Sequence, residues 1–337
     1  MNKSIFRALC ALSFFVLFSC NSKENTSTEV VSNTDSTQVG ETISEPFFEE
    51  VNAEEMPEAG EGEIILSFNP EKGKKYSTKM QTVTNIKQSM LDQSFSSVMD
   101  IATTNSILVK ENIPGSSVTL SSQVHSFKAM MKQDTMVAGF ESGKESDNAE
   151  IDMMRKILDC YIDMPIEITM DGNAELITVD GIQAVQDKIA EQLGQEAVMA
   201  SMQMSDMNQE IVNSFVSFPK QPVKIGDVWN TVDSVDMGGF PAVMINSFTL
   251  KGFDDQFAWV DVYSDFKIDK AAMQALGATG DEVTMTGYQK GTMKVEKSSG
   301  WSMASDLSQK IQMKMDAQGQ QMSISIDGTS TLVTTKK

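Results

Sequence analysis

The chain has 337 residues, with 47 acidic side chains against 27 basic ones, a net charge of −20, three cysteines and a single histidine. A surface that acidic, with no Lys/Arg block rising above it, repels nucleic acid and anionic headgroups, which argues against nucleic-acid binding. One histidine excludes triads and zinc clusters that depend on several.

Residues 1–19 read as a secretory leader. Lys3 and Arg7 form a basic start, and Ala8 to Phe18 is an apolar run too short to span a bilayer as a helix. The run ends at Leu17-Phe18-Ser19-Cys20. An ordinary leader cut favours small residues at −3 and −1, and Leu17 is not small. Leu at −3 with cysteine at +1 is instead the pattern of a bacterial lipoprotein, in which that cysteine is lipidated and becomes the new N-terminus. Cleavage there would leave 318 residues and, with Lys3 and Arg7 gone, a net charge of −22. No later stretch has the length of a membrane helix, so acyl chains on Cys20 are the expected membrane contact. Each buried methylene contributes about 0.8 kcal/mol, so several chains anchor where one would be marginal. Asn21 after the cysteine favours, by analogy with known sorting, the outer membrane over the inner. Cys10 leaves with the leader and Cys20 is consumed by lipid. Cys160 alone remains, and an internal disulfide is not available.

Residues 21–62 hold eleven acids, one base and ten Ser/Thr with little periodic apolar content. Such a stretch buries too little to offset its ordering entropy and reads as an acidic tether. As a flexible coil it would reach roughly 35 Å.

From Glu63 onward the dominant signal is alternation of period two. Tyr76, Thr78, Met80, Thr82, Thr84, Ile86, Gln88 and Met90 share one face; Val118, Leu120, Ser122 and Val124 repeat the pattern. Near the C-terminus Trp301, Met303, Leu307, Ile311, Met313 and Met315 share one parity, opposite Asp306, Lys310 and Lys314. One wet face and one dry face predict antiparallel pairing, and runs this long predict a coiled, strongly curved sheet. Further strands are expected at 64–68, 97–110, 166–170, 174–179, 227–235, 242–252, 256–268, 283–297 and 321–335, with a hairpin turn at Asp171-Gly172-Asn173.

Helices are expected only in the middle of the chain. Asp147 with Glu150 resembles a capping box opening a helix through Ile151, Met154 and Leu158. Asp180 with Gln183 opens a second, with the stripe Ile182, Val185, Ile189 and Leu193 and a stop at Gly194. A third is expected from about 195 to 218, carrying Met204, Met207, Ile211, Phe215 and Phe218 and ended by Pro219 and Pro222. The expected fold is therefore α+β, mainly β: a long-stranded, half-barrel-like antiparallel sheet with about three central helices on one face. The expected organisation is a leader (1–19), lipidated cysteine and tether (20–62) and one β-rich domain (63–337) with a helical insertion at about 146–218.

Candidate chemistry is sparse. Met199, Met202, Met204 and Met207 have a spacing that could hold Cu(I), since thioethers are soft ligands. However, the chain has 25 methionines spread throughout, and Met204 and Met207 belong to the stripe the third helix needs, so adaptable packing is the preferred reading. Cys160 sits in an apolar context and reads as an inert buried thiol. His125 falls on the wetter parity of its strand, with no nucleophile pattern beside it, and reads as a surface histidine. Gly139 to Lys144 lacks the phosphate-loop spacing, and Asp171, Asn173 and Glu175 lack the glycine a calcium loop requires. No catalytic residue, metal site or cofactor is expected.

Four stretches carry a resemblance: Phe68-Asn69-Pro70-Glu71-Lys72-Gly73-Lys74-Lys75-Tyr76, Ile168 to Asn173, Phe218-Pro219 through Gly226-Asp227-Val228-Trp229, and Gly291 through Gly300-Trp301. In this order they resemble an uncharacterised family of bacterial lipoproteins, domain-of-unknown-function family 6263, which implies no activity, cofactor or site. The expected architecture is also similar to periplasmic lipoprotein carriers, whose half-barrel and helical lid hold acyl chains. The expectation is an envelope lipoprotein that binds an apolar ligand or lipid between sheet and helices, lined by Met204, Met207, Ile211, Phe215, Trp301 and Met313. The alternative is an envelope scaffold with a fully packed core that presents its acidic surface to a protein partner.

Overall fold

The computed structural model describes residues 60–90, 93–133, 136–194, 217–236, 241–275, 283–317 and 320–337. The leader, Cys20, the tether and the expected third helix up to residue 216 lie outside these residues.

Fourteen strands are present among the described residues. They are β1 (Glu63–Ile64), β2 (Lys75–Met90), β3 (Gln93–Ile113), β4 (Ser117–Gln133), β5 (Met136–Glu141), β6 (Ile166–Met170), β7 (Leu176–Asp180), β8 (Val223–Lys224), β9 (Val228–Asp236), β10 (Pro241–Phe253), β11 (Phe257–Ile268), β12 (Val283–Glu296), β13 (Trp301–Ala317) and β14 (Gln320–Lys336). Three helices accompany them: α1 (Ala149–Asp159), α2 (Ile182–Leu193) and α3 (Lys270–Ala275).

Twelve strands form one antiparallel sheet in the order β7-β6-β4-β3-β2-β14-β13-β12-β11-β10-β9, with β5 also paired to β4. It is two meanders joined at a seam, where β14 pairs with β2 from Met322↔Met90 to Lys336↔Tyr76. The outer edge of β4 is shared: β6 takes Val118 to Ser122 and β5 takes Lys128 to Gln133. The end strands β7 and β9 do not pair with each other, so the sheet stays open. The fold is α+β and mainly β, as the alternation predicted. β1 and β8 form a separate two-stranded ribbon.

Length forces coiling here, because β3 runs 21 residues and β4, β13 and β14 run 17 each, about 55 Å at 3.3 Å per residue. Bulges between Thr104 and Asn105, Val109 and Glu111, Leu250 and Gly252, and Lys294 and Val295 add local bends. Close strand approach also demands glycine at Gly291, where a Cβ would stand 1.9 Å from the Asp306 carbonyl oxygen.

The helix boundaries correct the expected caps. The Ile151 amide donates to Asn148 Oδ1 (3.3 Å), so Asn148 rather than Asp147 caps α1. α2 begins after Gly181, whose φ of 100° makes the turn, with no side-chain cap from Asp180. Gly194 does end α2, its amide donating to the Ala190 carbonyl. α3 lies outside the expected helical segment; Asp269 Oδ1 caps it by accepting from the Ala271 and Ala272 amides. Ile157 and Leu158 of α1 and Val185 and Ile189 of α2 are buried in the same apolar cluster as the strands they cover.

Candidate functional site

The inward face of the sheet is the candidate site, and its composition is unusual for so acidic a chain. The inward series are 76–88 (even) in β2, 95–109 (odd) in β3, 118–124 (even) and 127–133 (odd) in β4, 322–334 (even) in β14 and 305–315 (odd) in β13. They continue as 283–295 (odd) in β12, 258–268 (even) in β11 and 242–250 (even) in β10. No Asp, Glu, Lys or Arg occurs in any of them. The opposite parity carries the charges, paired as Lys310–Asp327 (2.8 Å), Lys251–Asp261 (3.3 Å) and Lys267–Asp265 (2.6 Å). One inward acid, Asp233, stands on the edge strand β9, where it accepts from Asn246 Nδ2 (2.6 Å).

Apolar residues on this face separate into two clusters. The larger contains Leu120, Phe127, Leu250, Val260, Met293 and Trp301; the smaller contains Ile86, Phe266, Met285, Ile311, Met313 and Ile326. Between them a polar row crosses seven strands in direct register: Thr231↔Asn246, Asn246↔Ser264, Ser264↔Gln289, Gln289↔Gln309, Gln309↔Gly328 and Gly328↔Thr84. Ser264 Oγ donates to Asn246 Oδ1 (2.6 Å), and Asn246 Nδ2 donates to Thr231 Oγ1 (3.2 Å). Gly328 lets its neighbours close in on the row: a Cβ there would stand 3.1 Å from the Val83 carbonyl oxygen, 3.2 Å from Thr84 Oγ1 and 3.3 Å from Gln309 Nε2.

Some inward polar atoms have no partner. Among the described residues, Thr84 Oγ1, Thr103 Oγ1, Asn105 Oδ1 and Ser122 Oγ are buried and make no hydrogen bond. Leaving such an atom unpaired costs about 1–3 kcal/mol, so four together would approach the net stability of a whole domain, about 5–15 kcal/mol. Their neighbours Thr78 and Thr334 (3.2 Å) and Thr82 and Ser330 (3.1 Å) satisfy each other across the β2–β14 seam.

Trp301 and Met313 both lie on the inward face, in different clusters. Trp301 is 1% exposed, stacked on Tyr76 with ring centroids 3.7 Å apart and planes within 3°, and Phe68 packs at 5.8 Å. Burial pushes the Tyr76 hydroxyl up to about 12. The parity expected for β13 breaks at Met303, because Val295 pairs with Ser302 and Lys294 with Ala304, leaving Met303 as the extra residue of a bulge. Met199, Met202, Met204, Met207, Ile211 and Phe215 lie outside the described residues. Among the described residues no group of three or more His, Cys, Asp or Glu is placed to hold a metal, and no helix is long and apolar enough to cross a membrane.

Cys160 is buried, its thiol donating to the Lys156 carbonyl (3.3 Å), and burial pushes its pKa up. His125 is exposed, as its parity implied, and its ring has two side-chain partners. It is the extra residue of the β3–β4 bulge, since Asn105 pairs with Val124 and Thr104 with Ser126. The bulge places its Nδ1 2.5 Å from Asp163 Oδ1 and its Nε2 2.7 Å from Ser106 Oγ. With a neutral ring, Nδ1–H donates to the carboxylate and the serine hydroxyl donates to Nε2. The order Asp–His–Ser is that of an activated hydroxyl, but activation needs access and oxyanion donors. Ser106 is 3% exposed on the outward face, and β3 is paired on both sides there, to Ser77 and Gln123. The three residues therefore act as a clamp. It fixes the turn at Asp163, whose φ is 57° and whose amide donates to the Val124 carbonyl (2.8 Å).

Residues 115–302 match the model of DUF6263, a family of unknown function. Curated proteins give no match. Among solved structures, one of lipovitellin described by its lipid–protein interactions aligns at 11% identity and a TM-score of 0.46, covering 79% of this chain and 25% of that one. The chain thus spans a quarter of the lipovitellin length. DynF of the dynemicin pathway of Micromonospora chersina aligns at 7% identity and TM-score 0.21, covering 85% and 92% of the two chains. An outer membrane channel of Pseudomonas putida F1 aligns at 5% and 0.22, covering 80% and 98%. Likenesses this distant carry no argument about function.

Proposed function

The chain belongs to the DUF6263 family, and we propose that it is a membrane-anchored envelope lipoprotein that binds an apolar or amphipathic lipid against the inward face of its sheet. The supporting observation is the charge-free inward face across eight neighbouring strands of a chain with a net charge of −20. A packed core needs only apolar residues. Two apolar clusters with a hydrogen-bonding row between them match a ligand that has both kinds of surface. Methionines on this face, including Met80, Met244, Met285 and Met313, supply the soft walls that let such a surface repack around chains of different shape.

The proposal includes lipid on Cys20, an outer-membrane address and a tether that holds residues 63–337, as one domain, off the bilayer. Its support is the Leu17–Cys20 pattern and the composition of 21–62. Extraction of the purified full chain into organic solvent, followed by lipid mass spectrometry, tests the binding. We expect acyl lipid beyond the anchor at about one molecule per chain, and saturable binding of a fluorescent fatty acid. Absence of both overturns the proposal. A bare Cys20 with residues 1–19 still attached overturns the anchoring.

A further inference from the structure

Within that lipid-binding reading, the unpartnered inward atoms bear on the kind of head group. Thr103 and Asn105 stand two residues apart on the inward side of β3, and Ser122 lies on the adjacent β4, two residues from Val124, the register partner of Asn105. All three are at least nine-tenths buried, at 6%, 8% and 1% exposure. Their surroundings in register are apolar: Met80 and Phe127 flank Thr103, and Ile107 faces Ser122. The three polar side chains thus form a line through the larger apolar region, about 13 Å along β3 from Thr103 to the level of Ser122 with Asn105 midway, and none has a partner for its Oγ1, Oδ1 or Oγ among the described residues.

The chemistry of these atoms restricts what can satisfy them. Asn105 Oδ1 only accepts, so its partner must bring an O–H or N–H. The Thr103 and Ser122 hydroxyls can donate or accept, so the same partner can offer a second oxygen to them. No cation stands in any inward series from β4 to β10. A phosphate or an ionised carboxylate seated there would be a buried, unpaired anion, which is far more costly than an unpaired hydroxyl.

We propose that the ligand is an acyl lipid with an uncharged, hydroxyl-bearing head, of the acylglycerol or fatty-alcohol class, whose head sits over Thr103, Asn105 and Ser122. Its chain lies along the apolar residues of β2 and β4 that flank them. A free fatty acid would enter only in its protonated form, so its binding weakens as pH rises above the carboxyl range.

The test is native mass spectrometry of the purified full chain with equal concentrations of 1-oleoylglycerol, oleate and 1-oleoyl lysophosphatidate at pH 7.5, with hexadecane as a headless probe. We expect 1-oleoylglycerol to bind at least tenfold more tightly than either anion. In a Thr103→Val/Ser122→Ala double variant that advantage should shrink at least fivefold while hexadecane binding is unchanged. Because the two hydroxyls are unpartnered without ligand, the double variant should unfold at the same temperature as the parent or higher. Equal or tighter binding of the lysophosphatidate overturns the proposal, as does an unchanged preference in the double variant. If 1-oleoylglycerol binds no better than hexadecane, water rather than a lipid head occupies the patch, and the proposal also falls. Binding of none of the four ligands, hexadecane included, overturns the lipid-binding reading itself.

Discussion

Replacing Gly291 by alanine tests whether the coiling of the sheet rests on strand contacts that only glycine permits. In β12 the new Cβ would meet the Asp306 carbonyl oxygen at 1.9 Å and the Leu307 Cα at 2.8 Å, both backbone atoms of β13. Reaching an ordinary 3.4 Å contact would push the strands apart by about 1.5 Å at a point where both are hydrogen-bonded. Overpacking of this kind costs about 1–3 kcal/mol, and with backbone on both sides the upper end applies. For a domain of this size about 3 kcal/mol lowers Tm by about 6–12 °C in scanning calorimetry. The displacement should also move Gln289, two residues away, out of register with Ser264 and Gln309 and weaken the lipid binding we propose. Gly172→Ala is the control: a Cβ there has nothing within 4 Å and its backbone is not left-handed, so Tm should shift by less than 2 °C. A Gly291→Ala protein that melts within 2 °C of the parent, or a control that falls as far, refutes the steric account.

Trp301→Ala removes the indole stacked on Tyr76 and packed on Phe68, and should destabilise by about 3–5 kcal/mol in urea titration; a loss under 1 kcal/mol would show that the stack is dispensable. His125→Ala breaks one exposed and one part-buried hydrogen bond and takes the partner from the buried Ser106 hydroxyl, so the expected loss is about 1–3 kcal/mol, while limited proteolysis at the Asp163 turn should accelerate several-fold. Unchanged cleavage there would argue against a clamp. Hydrogen bonds from Lys156 and Arg155 hold the Asp152 carboxyl near pH 2, below its usual value, so its contribution to stability is present above about pH 4. That contribution is lost as pH falls from about 4 towards 2. Asp152→Asn should therefore flatten the fall of the urea midpoint across that window, and an unaltered slope would contradict the assignment.

The strands were plain in the sequence because burial of one face writes itself as parity. The series from Tyr76 to Gln88 and from Leu307 to Met315 are inward as their alternation implied. What escaped was either too short or decided by distant pairing. β5 runs six residues without alternation, and β8 only two. α3 has its signal in Asp269 ahead of Lys270-Ala271-Ala272, a short cap-and-alanine pattern that the surrounding strand signal overshadowed. The candidate site was half legible. Charge avoidance on one parity could have been counted strand by strand, but the polar row needs the register, and Asn246 reaches Thr84 only through five intervening pairings. The partners of His125 are equally hidden, because Ser106 lies across a bulge and Asp163 is 38 residues away.

The seam between β14 and β2 also has a consequence for how this protein is made. The last strand of the sheet to leave the ribosome occupies its centre, and Thr78 waits 256 residues for Thr334. Until β14 arrives, β2 and β13 each present a long open edge, the kind of template that recruits other chains. Contacts so distant in sequence also form slowly. Nascent copies should therefore depend on a holding chaperone until β14 has emerged, and a variant that lacks β14 should yield two sticky half-sheets rather than a smaller folded protein.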